Sequence, residues 1–392
     1  MDTRGGKYTF DPMLDPSDLY LDMNATAPLS REAAAAMREA MERALVNPAS
    51  AHRAGERSAR LLEAARADVA ALVGADPDEV VFTSGATEAN HLALFGTVGP
   101  PFSGRHLVVS SIEHASLLEA ARLLEELGAA VTRVDPGPDG RVAVAALLAA
   151  LRPATALVAL MHSNNETGVL QPVDETAEAL AERGVALHVD AAQSVGRVAL
   201  DWKSVRATTL AFTSHKLGGP TGVGALVVRA GTRLAPLLRG GRQERGRRGG
   251  TQPLLGAIGF AAAARATRAH GPVDSAARDA FERRLAALLP KIAIRGGAAP
   301  RLPNTSSVTI PGRAARLLLD ELSRRGLHAS AGSACQAGAP EPSHVLKAMG
   351  LPAADVRATL RFSFGAGHRA EDGVRAAELV ATVARSEPPR AG

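Results

Sequence analysis

Between residues 57 and 228 short apolar runs alternate with longer segments whose apolar positions recur every three or four residues. The segment ERSARLLEAARADVAALVG has the helical period and is stopped by Gly74. The runs VVFT (80 to 83), HLVVS (106 to 110), AVTRV (130 to 134), ALVALM (156 to 161), VALHV (185 to 189), TLAF (209 to 212) and GALVV (224 to 228) read as strands. Between most of them lie helical stretches such as SLLEAARLLEELG and VDETAEALAERG, each ending at glycine. Strands with little alternation, separated by helices, predict an α/β fold: a mainly parallel seven-stranded sheet covered by helices on both faces.

Past residue 262 the pattern changes. Helical segments (AAAARATRAH, SAARDAFERRLAALLPKI) precede NTSSVTI, LLLDELSRRG, a helix around HVLKAMG and the strand-like ATLRFSF. Fewer strands, expected to be antiparallel, predict a smaller α+β domain. We therefore divide the chain into a large domain, 24–262, and a small domain made of 1–23 and 263–392.

In an open parallel sheet, ligands bind beyond the carboxyl ends of the strands. Five predicted strands run directly into polar clusters there: TSGATEAN, SIEHAS, HSNNETG, DAAQS and TSHKLGG. Gly85, Ala86 and Thr87 stand where a helix begins, so their backbone N–H groups suit a phosphate or simply form a capped turn. Asp190, after an apolar strand, is either a capping group or a buried carboxylate that needs a cationic partner such as a protonated pyridine nitrogen. Lys216 is either a surface lysine at a turn or a desolvated amine able to form a Schiff base with an aldehyde. His114 offers a flat ring for stacking, or is a structural histidine. A phosphate cradle, a pyridinium partner and a covalent tether together are what pyridoxal 5'-phosphate requires.

Composition narrows the classes. The chain has 392 residues, 46% hydrophobic and 22% charged, enough for about two domains. One cysteine excludes intramolecular disulfides and thiolate metal clusters and fits a reducing, cytoplasmic setting. No apolar run approaches the about 18 residues of a membrane span, and the first 16 residues lack the apolar core of a signal peptide. The net charge is +5, and the densest basic run is RGGRQERGRRGG, 239 to 250. It carries no interleaved aromatics, so it reads as a loop that grips a small anion rather than a nucleic-acid tail. The single thiol, Cys335, lies in SAGSACQAGAPEP, 330 to 342, among residues that favour exposed, mobile backbone. It is either a leftover surface thiol or one whose chemistry needs mobility.

The blocks LDMNATAPLS, NPASAHRAG, VVFTSGATEAN, SIEHAS, MHSNNETGVLQPV, HVDAAQSVG, TSHKLGGPTGVGAL, GGRQERGRRGGT, LPNTSSV, SAGSACQAGAPEPSHVLKAMG and RFSFG, in this order, resemble the NifS/IscS-type cysteine desulfurases over nearly the whole chain. These are fold-type I pyridoxal-phosphate enzymes. The resemblance implies removal of sulfur from L-cysteine, giving L-alanine and a persulfide on Cys335 that passes to a sulfur-acceptor protein. It implies that Lys216 holds the cofactor and moves protons. Asp190 would pair with the pyridinium nitrogen, and Gln193 would bond the ring hydroxyl. His114 would stack and serve in acid–base steps, while Ala86, Thr87, Thr213 and His215 would line the phosphate. Asn165 and Arg361 would hold the substrate carboxylate. Thr251 would reach the phosphate of the neighbouring subunit, implying a homodimer. No metal is implied, and no direct binding to nucleic acid or membrane.

Some positions depart from the family pattern. Thr213 stands where serine is usual, Arg242 replaces a glycine, and Ala366 stands where an arginine is common. Housekeeping members carry a further C-terminal segment that docks the iron–sulfur scaffold, whereas this sequence stops soon after its last helix, at ARSEPPRAG. The acceptor therefore stays open among an iron–sulfur scaffold, a tRNA- or DNA-thiolation enzyme and a biosynthetic carrier. A selenocysteine lyase, or a non-catalytic sulfur carrier on the same fold, are the alternative functions.

Overall fold

A seven-stranded sheet organises the larger part of the chain in the computed structural model, which describes residues 15, 17–43, 45–331 and 342–386. Its strands are β1 (Val80–Thr83), β2 (His106–Ser110), β3 (Ala130–Val134), β4 (Thr155–Ala159), β5 (Ala186–Asp190), β6 (Thr209–Thr213) and β7 (Gly224–Val228). They lie in the order β1-β7-β6-β5-β4-β2-β3. All neighbours pair in parallel except β7, which is antiparallel to both β1 and β6.

The near-continuous apolar strands are explained by burial on both faces. Successive side chains point to opposite sides. Val80, Phe82, Val108, Leu187, Val189, Leu210 and Phe212 join the core under helices Arg53–Leu72, Val173–Ala181 and Leu254–His270. Val81, Leu107, Val109, Ala211, Leu226 and Val228 join a second core under helices Ala86–Val98 and Ala115–Glu126. Helix Leu254–His270 runs unbroken across residue 262 and packs on helices Arg31–Glu42 and Arg53–Leu72.

A third core gathers Leu19 and Leu21 with Phe281, Leu318, Leu360, Phe362 and Val380. Here Thr359–Ser363 lies between Ser330–Ala331 and Thr305–Thr309, all antiparallel, and Ala293–Ile294 extends the sheet beyond Thr305–Thr309. Leu19–Tyr20 pairs in parallel with Leu327–His328. No helix among the described residues is long and apolar enough to cross a membrane.

The middle of the basic run is stitched to the fold, while Arg239 and Arg242 stay exposed. Glu244 and Arg245 adopt left-handed backbone, with φ of 46° and 56°. That conformation is held by contacts. The buried Glu244 carboxylate receives Arg66 Nη1 at 2.6 Å, Arg66 Nη2 at 2.9 Å and the Phe82 N–H at 2.8 Å. Arg245 pairs with Asp78 at 2.5 Å, and Arg248 with Glu88 at 2.8 Å. Three of the run's charges thus have fixed partners within the fold. At Arg242 φ is −84°, ordinary backbone that does not call for a glycine.

Candidate active site

The carboxyl ends of β1, β2, β4, β5 and β6 open onto one cavity of about 390 Å³. Ala86, Thr87, His114, Asn165, Asp190, Gln193, Thr213, His215 and Lys216 all line it. Arg361 is buried directly behind it, its Nη1 donating to the Asn165 carbonyl at 3.0 Å. Thr251 is exposed and does not line the cavity. Cys335 lies outside the described residues.

At one end helix Ala86–Val98 begins with Gly85, which offers no side-chain cap. The first N–H groups of such a helix carry the positive end of its dipole into the cavity. A Cβ on Gly85 would meet only Thr213 Oγ1, at 3.9 Å, whereas one on Gly224 would lie 2.7 Å from the Gly85 backbone. The strand must therefore be bare at Gly224 for the turn to sit against it.

Asp190 ends β5 and is 6% exposed. Its Oδ1 accepts the Ala192 N–H at 2.9 Å, and its Oδ2 accepts Asn90 Nδ2 at 2.8 Å. Asn90 also donates to Ser116 Oγ at 2.9 Å. With both amide hydrogens used, its Oδ1 is left to accept from His188 Nε2 at 3.0 Å. His188 Nδ1 then accepts from Thr209 Oγ1 at 2.9 Å. Burial, opposed by the Asp190 charge, lowers the His188 pKa to about 4, so the imidazole behind the carboxylate is neutral.

His114 is the N-cap of helix Ala115–Glu126, and its Nδ1 accepts the Ser116 N–H at 3.1 Å. Ser116 Oγ, having accepted from Asn90, turns its hydrogen to His114 Nδ1 at 2.9 Å. The ring is thereby fixed in the tautomer with its proton on Nε2. Burial lowers its pKa against the pull of Asp190, with Lys216 and His344 adding to the lowering.

Lys216 follows β6 in a short 3₁₀ turn. Its Nζ donates to the Asn24 carbonyl and, at 2.7 Å, to the Ala25 carbonyl. Gln193 Nε2 donates to the same Asn24 carbonyl at 3.0 Å. His215 meets Thr26 Oγ1 at 3.0 Å, and burial, with Lys216 and Arg197 nearby, lowers its pKa to about 4. Arg361 Nη2 bonds Asp22 at 2.7 Å, while its buried Nε has no acceptor among the described residues. An unpaired buried guanidinium donor is costly to leave in place.

The sequence clusters contained Asn90 and Glu113, but nothing in their spacing marked them. Asn24 became visible only through contacts that span 141 to 281 positions. Glu113 is fully buried, accepts the Met161 N–H at 2.6 Å, and has its other oxygen unpartnered among the described residues. Burial raises its pKa well above the carboxylate range, and Asp190 pushes the same way.

Residues 19–374 match the Aminotransferase class-V family. The chain belongs to that family. It is 42% identical over 352 residues to a cysteine desulfurase of Cereibacter sphaeroides, covering 88% of this chain and 90% of the relative. Among solved structures, a NifS-like protein superposes with a TM-score of 0.85 at 29% identity, over 93% of this chain and 99% of the other. SspA in complex with cysteine superposes with a TM-score of 0.80 at 33% identity, over 88% and 98%. This class-V chain thus shares both the fold and most of the length of its relatives.

Proposed function

We propose that the protein is a pyridoxal-phosphate-dependent cysteine desulfurase that takes sulfur from L-cysteine onto Cys335. The observation that carries this reading is the convergence on one cavity of an uncapped helix N-terminus, the Asp190 carboxylate and Lys216. The residues fit the cofactor. Ala86, Thr87, Thr213 and His215 would hold its phosphate, Asp190 its ring nitrogen, Gln193 its ring oxygen and Lys216 its aldehyde. When bound, the cofactor supplies an electron sink. Everything else falls to the chain.

Asn165, which lines the cavity, and Arg361, bonded to its carbonyl from behind, would orient the substrate carboxylate. Lys216 takes and returns a proton at the substrate α-carbon. The neutral imidazole of His114, held by Ser116, holds or moves a proton at Nε2. Cys335 attacks the substrate sulfur as a thiolate. An S–S bond forms, the C–S bond breaks, and the carbon takes a proton to leave as alanine. A homodimer, in which Thr251 completes the neighbour's phosphate site, is supported by the exposed position of Thr251 outside its own cavity.

The test is Cys335→Ala. The variant should still bind pyridoxal phosphate on Lys216, trappable with borohydride, and should still shift its spectrum on adding cysteine. Alanine formation should collapse, and the one extra sulfur on the Cys335 peptide, seen by mass spectrometry of the wild type, should vanish. Near-normal sulfur release from the variant would refute the assignment.

A further inference from the structure

Arg197 lies four residues beyond Gln193, in a run of turns, and is 5% exposed. Among the described residues it forms no ion pair. Its donors meet only neutral oxygens: Nη1 reaches the Gln193 carbonyl at 3.0 Å and Gln193 Oε1, and Nη2 reaches the Met23 carbonyl at 3.0 Å. A buried cation held solely by dipoles is expensive, and a fold keeps one where the charge serves something.

A side-chain amide can ordinarily be turned end for end. Here it cannot. A guanidinium has five N–H donors and no acceptor, so the end of Gln193 that meets Arg197 must be the oxygen. The amide nitrogen is thereby forced to the other side, where one hydrogen goes to the Asn24 carbonyl at 3.0 Å and the second is left for the cavity that Gln193 lines.

We propose that Arg197 is a positioning residue that locks Gln193 as a donor and places a fixed positive charge behind it, so that the site favours a cofactor ring oxygen in its anionic form. This rests on the cofactor reading above. Among the described residues the other titratable groups around Arg197 are Lys216, Arg361 and the neutral His215, with Glu32, His270 and His368 around the adjoining cavity. Burial, with Arg361 adding to it, lowers the Arg197 pKa to about 9, which leaves it charged at neutral pH.

The sign follows from the charges. Loss of the proton shared by the ring oxygen and the linking nitrogen adds negative charge beside Arg197, so the arginine favours that loss. Removing it should raise the pH at which the bound cofactor's absorbance changes. The experiment is an absorbance titration of holoenzyme, with cofactor dissociation measured alongside, for wild type, Arg197→Met, Arg197→Lys, Gln193→Leu and the Arg197→Met/Gln193→Leu pair. Arg197→Met should move the midpoint up by about one unit, a tenfold change in the proton equilibrium, and hasten cofactor loss. Arg197→Lys keeps the charge and should move the midpoint less than Arg197→Met does. The pair should shift less than the two single changes summed, because one acts through the other.

A yellow wild type whose midpoint ignores Arg197→Met overturns the proposal, and so does full additivity in the pair. If Arg197→Met does not fold, an unmoved midpoint in Arg197→Gln, which removes the charge with a polar side chain, overturns it equally. A wild type that takes up no pyridoxal phosphate refutes the cofactor reading instead.

Discussion

Glu244→Gln exchanges one oxygen for an NH2 group at a site with no room for water. The carboxylate is 0% and the Arg66 side chain 2% exposed. In the wild type both oxygens receive the guanidinium, and one also receives the Phe82 N–H. In the variant an amide N–H must face a guanidinium N–H in either orientation, and in one of them the Phe82 N–H as well. Arg66 would keep the Val80 carbonyl at 2.9 Å and Glu63 at 3.2 Å, but Glu63 is 52% exposed and compensates little. Breaking a buried pair from one side costs about 3–5 kcal/mol. With an unfolding entropy of about 2.1 cal/mol/K per residue, a chain of this length loses about 1 °C per 0.8 kcal/mol, so Tm should fall by about 4–6 °C. Circular dichroism melts of the two cofactor-free proteins measure it. The double replacement Arg66→Met/Glu244→Leu should recover part of the loss, limited by the left-handed backbone at 244 and the orphaned Phe82 N–H. A fall below about 1 °C for Glu244→Gln would refute the view that this pair holds down the loop leading to Thr251.

Two further outcomes are expected. His188, at about 4, lies below an unfolded value near 6.5, so its contribution is complete above pH 6.5 and is lost as pH falls towards 4. Between pH 7.5 and 5.0 it should cost about 2 kcal/mol in urea denaturation; a His188→Gln protein with the same pH dependence as wild type would count against this. Mixing Lys216→Ala with Thr251→Ala subunits should restore part of the activity, since one site of the mixed dimer carries neither defect. An active enzyme that sediments strictly as a monomer would contradict it.

Much of the sheet was legible because its signal is local. Burial on both faces demands continuous apolar runs, and β1, β2 and β7 begin and end where those runs do. The polar cluster after each of five strands was equally plain, since little else places Asp, His and Lys directly behind core residues. What stayed hidden depends on distant partners. In the run 239–250 the sequence shows the charge but not the Glu88, Asp78 and Arg66 that engage part of it. Asn90 and His188 looked like ordinary helix and strand residues, and only the fold makes them the support of Asp190. Arg197 carried no mark at all, for its partners are mostly backbone carbonyls.

The stretch Asp22–Ala25 touches the site from outside the parallel sheet. Asp22 holds Arg361, the Met23 carbonyl holds Arg197, and the carbonyls of Asn24 and Ala25 hold Lys216. Three residues before Asp22 the strand Leu19–Tyr20 begins, sewn to Leu327–His328. Residues 19–25 are therefore a drawstring between the two halves of the protein, and its end is tied at the lysine. Trimming back to residue 18 spares this stitch, whereas trimming seven residues more removes acceptors from Lys216, Gln193 and Arg197 at one stroke, a lesion of the site made without altering any of those side chains.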